Sequence, residues 1–448
     1  MNKTATKNNK NKSKKTKHSK FITLVEVTQI NKNNSLFDIL DNLCFLSKNI
    51  YNSALYLIRQ SFFDDNSNCL GYNQVNNILV KENNADYYML PSKVSQQSVK
   101  LASQSFSSFF GALKRKKDTK DDVVVHIPRY LDSDTGRQTV FYTDQAVSTK
   151  KLKTEGYYTL SKVVDDSGEL IKFKTKVSNI QFVRIVHCGN HIRIEVGYRS
   201  FKKSPKVTKN IAAIDIGVNN LATLTTNFDS PIIFNGKPLK YINHQYNKLI
   251  AKSQSANACC NGVSDNVWTS GMCNISYRRS NKMTDYLHKI SRVIVNYLVS
   301  NHVSILIVGK NDGWKQNANM GKENNQNFVQ IPFARFIDIL TYKCSIYGIT
   351  VVTINESHTS KCSFIDNEPI HHHDKYMGKR KTRDLFKTTD GIVINADVNG
   401  SYNIMRRWCE SNNCTHYLKF NKYNVCQNPT KITVKLSGKK CNIGEYIK

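Results

Sequence analysis

The sequence predicts an α+β protein with more than one domain, and three observations lead to this prediction. The chain has 448 residues, of which 40% are hydrophobic, enough for two or three folded units. Apolar residues recur at helical spacing over residues 36–62 and 92–116, whereas residues 121–205 contain short strand-like runs between turn residues. From residue 209 onward, strand patterns alternate with helix patterns, which is typical of an α/β domain.

The N-terminal half is predicted to consist of a tail, a β-barrel and inserted helices. Residues 1–20 contain eight lysines and no acidic residue, so we expect a disordered tail that adds nonspecific affinity for nucleic acid. Residues 21–205 are expected to form one half of the protein, in which a β-barrel or sandwich carries helices at about residues 35–117. Ser35 is the predicted N-cap of the first helix. The barrel strands are predicted at residues 21–30, 123–125, 139–142, 180–186 and 191–196.

The second half, residues 209–408, has the element order of an RNase H-like α/β domain. Its elements are predicted as strands 210–214, 221–226 and 231–234, helix 282–299, strand 304–308, helix 332–347, strand 348–355 and helix 399–407. Residues 409–448 show no strong pattern and are expected to be a basic C-terminal tail.

The charge of the chain indicates a polyanionic partner. The 65 Lys and Arg residues outnumber the 34 Asp and Glu residues, which gives a net charge of +31. Compositional drift toward Lys and Asn would scatter this charge, but part of it is clustered at residues 1–20, 113–117 and 377–383. We therefore expect DNA or RNA as the partner. No run of about 18 apolar residues exists, so we expect no membrane span.

Three carboxylates follow predicted strands of the second half. Asp215 follows strand 210–214, Glu356 follows strand 348–355, and Asp397 follows the segment 391–396. In the predicted fold, strand 304–308 lies beside the first strand, strand 348–355 lies one place further out, and the final helix packs back toward the first strand. The three side chains then converge, and together they can hold two divalent cations, Mg²⁺ or Mn²⁺, for phosphodiester hydrolysis. Each residue also has an ordinary explanation: a turn, a strand-end charge, or, for Asp397, a helix N-cap.

Other residues are candidates for nucleic-acid contact. Trp314 and Lys315 lie in a polar segment, where the indole either stacks on a base or anchors local packing. Lys379, Arg380, Lys381 and Arg383 form a basic run that either contacts phosphates or is a solvated loop.

Several segments together resemble the TnpB (transposase OrfB) family and its Fanzor relatives, from about residue 21 to 408. The resembling segments are Asp215–Thr223, Gly309–Asn311, Trp314–Gln316, Asn325–Phe333, Glu356–Lys361, Asn395–Ile404, Tyr51–Gln60 and Ile127–Leu131. The segment around Glu356 is similar to a Fanzor-like branch in which the second acidic residue is rearranged onto this position.

The resemblance implies an RNA-guided, Mg-dependent DNA endonuclease with a RuvC-like site at Asp215, Glu356 and Asp397. A noncoding guide RNA would pair with target DNA, and residues 21–205 would hold the hybrid and read a short flanking motif. Lys361 would join the nucleic-acid contacts. In most of the family a zinc ribbon of two Cys-x-x-Cys pairs lies between the last two motifs. Here Cys362 is followed by Ser363-Phe364-Ile365 and no such pair occurs in residues 363–396, so zinc is not expected.

Two other functions remain open from the sequence. A transposase that joins DNA strands would use the same three acids, and a nonenzymatic DNA- or RNA-binding regulator would have a decayed site. If Glu356 proves dispensable for cutting, Asp312 and Glu323 become the candidates for the second acid. Twelve cysteines without regular spacing are interpreted as reduced thiols of an intracellular protein. We expect it to be located with DNA, in a nucleus, nucleoid or viral replication compartment.

Overall fold

The structure is a computed structural model, and it describes residues 20–64, 69–119, 123–205, 207–261, 267–311, 326, 328–418, 425–426 and 428–435. The helices are α1 (Leu36–Phe63), α2 (Tyr72–Lys81), α3 (Ala85–Met89), α4 (Ser92–Thr119), α5 (Leu152–Glu155), α6 (Lys237–Asn261), α7 (Ser270–Ser300), α8 (Phe333–Ile346) and α9 (Ala396–Ser411). Within the described ranges, no helix has the length and hydropathy needed to cross a membrane.

The N-terminal half contains two separate β-sheets. The four-stranded sheet has the order β1 (Phe21–Asn31), β7 (His191–Phe201), β6 (Ile180–His187) and β2 (Val140–Thr143). The three-stranded sheet consists of β3 (Val147–Ser148), β4 (Tyr157–Val164) and β5 (Leu170–Lys174). These strands do not close on one another, so the predicted barrel is not found among the described residues.

One detail of the N-terminal prediction is wrong, and another is confirmed. Residues 123–125 are not a strand, and Val123 and Val124 are 64% and 67% exposed; a run of three valines has no pairing partner there. Ser35 is confirmed as the N-cap residue of α1, although its side chain makes no capping hydrogen bond. The side chain of Asn34 accepts the backbone N–H of Leu36 instead, at 2.9 Å.

The second half is built on a six-stranded mixed sheet. Its order is β12 (Thr350–Ile354), β11 (Ile305–Gly309), β8 (Ile211–Asp215), β9 (Asn220–Thr226), β10 (Ile232–Asn235) and β16 (Thr430–Ile432). Strands β8, β11 and β12 are parallel, and β8, β9 and β10 are antiparallel. The predicted neighbours, strand 304–308 beside strand 210–214 and strand 348–355 beyond it, are therefore observed.

Helices cover both faces of this sheet, which explains why its strands are apolar runs rather than alternating ones. On one face, Ala212 and Ile214 of β8 pack in a core with residues of α7 and α8. On the other face, Ile211 and Ala213 pack against Ile404 and neighbouring residues of α9.

The predicted basic tail at 409–448 contains structure. Helix α9 continues to Ser411, and β16 adds a parallel edge strand beside β10. Ile432 and Val434 are each 1% exposed. The alternation of apolar residues at 432 and 434 was the available signal, but it is too short to predict a strand without knowledge of the sheet edge that it joins.

Helix α6 was missed as well, because its sequence is rich in Asn, Lys and Ser. The small sheet of β13 (Lys379–Arg380), β14 (Leu385–Lys387) and β15 (Val393–Asn395) then leads directly into α9.

Candidate functional site

Asp215 is the last residue of β8, and strand alternation determines the face on which it lies. Ile211 and Ala213 face α9, so Asp215, two residues further, faces the same helix. The backbone of α9 comes so close that a Cβ atom at Gly400 would lie 2.8 Å from Asp215 Oδ2. Glycine at position 400 thus lets the helix approach the carboxylate.

Asp397 lies in the first turn of α9, and it does not cap that helix. The cap is Asn395, whose side-chain oxygen accepts the backbone N–H groups of Asp397 and Val398 at 3.0 and 3.2 Å. The alternative reading of Asp397 as an N-cap is therefore wrong, and its carboxylate is directed to other partners. Its Oδ2 accepts a hydrogen bond from Asn220 Nδ2 at 2.7 Å, and its Oδ1 accepts one from Arg380 Nη2 at 3.2 Å.

Glu356 lies two residues beyond the end of β12 and is held by Asn311. Asn311 Oδ1 accepts the backbone N–H of Glu356 at 3.1 Å, and Asn311 Nδ2 lies 3.4 Å from Glu356 Oε1. The other oxygen, Oε2, is buried without a hydrogen-bond partner. A Cβ atom at Gly309, the last residue of β11, would lie 2.7 Å from this oxygen. The residue ending β11 therefore leaves room for Glu356 to reach across from the neighbouring strand.

The charges of Asp397 and Glu356 act on the carboxylate of Asp215. Burial raises the pKa of Asp215 well above its usual range, and the nearby charges of Asp397 and Glu356 raise it further, while Arg380 acts in the opposite direction. Burial also raises the pKa of Glu356 to about 7. Carboxylates in such surroundings favour a cation, because a positive charge relieves both the desolvation and the mutual repulsion.

Helix α9 is fixed to the sheet by polar contacts that the sequence analysis did not single out. Ser401 Oγ is 2.8 Å from Thr225 Oγ1, and its hydroxyl lies within hydrogen-bond distance of the carbonyls of Ala213 and Thr223, at 3.2 and 3.0 Å. These contacts hold α9 on β8 and β9, so they set the position of Asp397 relative to Asp215.

The donor set fits a hard divalent cation. Its ligands would be carboxylate oxygens, which Mg²⁺ and Mn²⁺ prefer, and Glu356 Oε2 is a buried oxygen with no hydrogen-bond partner. Across the described ranges, no three His, Cys, Asp or Glu side chains already lie close enough together to coordinate one metal ion. A site for two ions would take part of its ligands from water and the scissile phosphate, so it would need fewer protein ligands around each ion.

Several residues predicted from the sequence lie outside the described part of the chain. These are Trp314 and Lys315, together with the reserve candidates Asp312 and Glu323. Lys361, Lys379, Lys381 and Arg383 are exposed, in keeping with their predicted contact with phosphates. Arg380 differs from them, because it forms an ion pair with Asp397 at 3.2 Å while its own side chain stays 46% exposed.

The segment between Glu356 and β13 is held by hydrogen bonds to α9 and to a buried carboxylate. Asn399 and Asn403 donate to the carbonyl of Cys362 at 2.8 and 2.7 Å. Glu368, 1% exposed, accepts the backbone N–H groups of Ser363 and Met377 at 2.6 and 2.8 Å. The spacing of Asn395, Asn399 and Asn403 along one helix face was the missed signal.

Cys362 makes one weak hydrogen bond. Its Sγ donates to the His371 carbonyl at 3.6 Å. Burial raises the pKa of this thiol. The zinc-free interpretation of this segment stays a prediction.

Comparisons with known proteins agree with the sequence resemblance. A family model described as a probable transposase (OrfB_IS605) matches residues 191–315, and one described as Cas12f1-like, TNB domain, matches residues 333–404. The TnpB-like protein ORF457 of Acidianus two-tailed virus is 23% identical over 414 residues, covering 82% of this chain and 83% of the relative. A chain of a solved Cas12f1–sgRNA–target DNA complex matches with a TM-score of 0.53 at 13% identity, covering 82% of each chain.

The structural match identifies the fold as a mixed α/β multidomain fold like that of Cas12 nucleases. The sequence matches confirm the predicted resemblance to the TnpB (transposase OrfB) family. The finer assignment to a Fanzor-like branch stays a prediction.

Proposed function

We propose that this protein is a transposon-associated, RNA-guided DNA endonuclease that hydrolyses phosphodiester bonds with divalent metal ions at Asp215, Glu356 and Asp397. The observation that carries the proposal is the convergence of Asp215, at the end of β8, with Glu356, just beyond β12, and Asp397, in the first turn of α9. The charges of the other two carboxylates raise the pKa of Asp215. The strand order supports an RNase H-like, RuvC-like domain over residues 209–408.

When bound, the ions would activate water and neutralise charge on the scissile phosphate. The protein's own groups position the ligands. Asn220 orients Asp397, Asn311 orients Glu356, and Gly400 admits Asp215 beside α9. Arg380 donates to Asp397 Oδ1 and would compete with a cation for that oxygen. A guanidinium at this position would also suit contact with a phosphate oxygen.

In this proposal the N-terminal half, residues 21–205, holds the RNA–DNA hybrid and reads the flanking motif. A cavity of about 430 Å³ lies between α4 and the four-stranded sheet. Its lining suits base edges, because glutamine amides pair with adenine and cationic side chains pair with guanine or phosphate. The polar lining residues are Gln97, Lys100, Gln104, Gln138, Thr139 and Arg184.

A DNA transposase acting in strand transfer is the second candidate, because the matching family model over residues 191–315 is described as a probable transposase. The three carboxylates serve either reaction. Incubation with labelled element ends separates the two, since a transposase would produce joined strands and a guided nuclease would produce cut targets without joining. Either activity places the protein with DNA inside a cell or a viral replication compartment.

Sequencing of RNA that copurifies with the chain, expressed beside its own downstream DNA, tests the guided function. We expect one discrete, protected RNA with a variable end, and Mg-dependent cutting of DNA that matches this end. Asp215→Asn, Glu356→Gln and Asp397→Asn should each abolish cutting and leave RNA binding intact. A smear of host RNA would contradict guidance, and full cutting by the Glu356 variant would return attention to Asp312 or Glu323.

A further inference from the structure

Helices α6 and α7 enclose an open groove outside the carboxylate site. Its volume is about 400 Å³, within the range of roughly 300–1,000 Å³ found for small-ligand pockets. The wall is mainly apolar and aromatic, and its apolar members are Tyr241, Ile242, Tyr246, Leu249 and Ile275. Tyr241 is 60% exposed and Leu249 is 48% exposed, so large apolar surfaces face solvent here. We call this feature the α6–α7 groove.

One wall of the α6–α7 groove is rigid. Arg279 donates to Asn243 Oδ1 at 2.7 Å and to the carbonyl of Gln330 at 2.9 Å. Its guanidinium carbon also lies 4.7 Å from the ring centroid of Tyr246. These contacts hold Tyr246 and α7 in place, so the groove is formed before any ligand binds.

The charge around the α6–α7 groove is positive. Arg278 and Lys282 line it and are exposed, and neither is paired with an acidic residue of the described chain. Among the described residues, no acidic side chain lines the groove. Helix α6 adds four lysines and contains no Asp or Glu. An exposed tyrosine can stack on a planar ring, and cationic side chains beside it can bind a phosphate attached to that ring.

We propose that the α6–α7 groove binds an unstacked base of single-stranded nucleic acid. The base stacks on Tyr241, and Arg278 and Lys282 contact the adjoining phosphates. The inference rests on the proposed function, because a guided nuclease carries single-stranded guide and displaced DNA. It extends that function by adding a base-binding site whose lining residues do not include the three carboxylates.

The test is the affinity of the full chain for short single-stranded RNA and DNA, measured by fluorescence anisotropy at raised salt to weaken nonspecific phosphate contacts. Tyr241→Ala should weaken binding about tenfold, since stacking on one aromatic contributes on that order. Trp268→Ala is the control, because Trp268 is an aromatic residue that is 54% exposed and does not line the groove; it should change affinity less than about twofold. Comparison of the RNA and DNA arms identifies which strand the groove takes.

Two further measurements sharpen the test. An abasic substitution moved along the oligonucleotide should, at one position, weaken the wild type as much as Tyr241→Ala does and leave that variant unaffected. Lys282→Gln should weaken binding more than Lys252→Gln, which removes the same charge from an exposed position of α6 outside the groove.

Equal losses at Tyr241 and Trp268, or at Lys282 and Lys252, would overturn the inference, because they would reflect general charge or surface effects. Unchanged oligonucleotide affinity with altered self-association of Tyr241→Ala would also overturn it, and would assign the groove to protein contact. None of these outcomes depends on cutting, so failure of the groove and failure of the nuclease proposal are distinguishable.

Discussion

Glu356→Gln should make the metal-free protein more stable at neutral pH. The difference in stability between the variant and the wild type should grow as pH rises to about 7. The pKa of Glu356 is raised by burial from an ordinary 4.5 to about 7. The folded protein therefore binds the proton more tightly than the unfolded chain does. The stability that this proton gives the wild-type protein is lost as pH rises from about 4.5 to about 7, and the contribution of Glu356 no longer changes above that range. Glutamine keeps the shape and removes this titration.

The expected magnitude follows from the size of the shift. A difference of about 2.5 pH units corresponds to roughly 3 kcal/mol at 1.36 kcal/mol per unit, and partial exposure to solvent reduces this to about 1–3 kcal/mol. Removing the charge of Glu356 also relieves Asp215, whose pKa it raises, and this effect has the same sign. In the variant, an amide group replaces a carboxylate that has one oxygen without a hydrogen-bond partner. Any cost of this replacement does not depend on pH, so it cancels when the stability difference between the two proteins is compared at different pH values.

The assay is the denaturant midpoint of both proteins between pH 4 and 8 in the presence of a chelator. The gap between the midpoints should widen up to about pH 7. Added Mg²⁺ should stabilise the wild type more than the variant, since binding to the folded state alone shifts unfolding. A gap that stays constant with pH would refute the burial argument, and equal stabilisation by Mg²⁺ would refute the role of Glu356 as a ligand.

Two further predictions concern neighbours of the carboxylates. Arg380→Ala should tighten Mn²⁺ binding several-fold by calorimetry, because the ion pair with Asp397 is removed, whereas Lys379→Ala on the same strand should leave it within about twofold; equal effects would indicate only a general charge change. Gly400→Ala should lower the free energy of unfolding by about 1–3 kcal/mol, since the new methyl group would overlap a buried carboxylate oxygen. Gly111→Ala is the control, because Gly111 has open space around it, and this change should stabilise α4 by up to about 1 kcal/mol. A Gly400→Ala variant as stable as the wild type would contradict the close approach of α9 to Asp215.

Much of the second half was predictable because its elements carry strong local patterns. Strands β8, β11 and β12 are apolar runs with clear ends, and α8 begins directly after a proline. Their order along the chain was enough to predict which strands are neighbours. In the N-terminal half the pattern was weaker. Strands β3 to β5 were missed, and the closed barrel was not found among the described residues.

The choice of Asp215, Glu356 and Asp397 also came from local positions, at or just after strand ends. The residues that surround these three carboxylates could not be predicted from local positions. Asn220 and Asp397 are 177 positions apart and meet through one hydrogen bond, and Asn311 holds Glu356 across 45 positions. No local pattern encodes such pairs, because they depend on how neighbouring strands and α9 are packed.

The amino-acid order was sufficient for the charge of the chain, the succession of strands and helices in its second half, and the three acidic positions. These are properties of single residues and short periodicities. The tertiary packing was needed to place Arg380 on Asp397, to leave one oxygen of Glu356 buried without a partner, and to join β16 to the sheet edge. Such features arise from contacts between distant segments, whose energies depend on burial and distance in the folded chain.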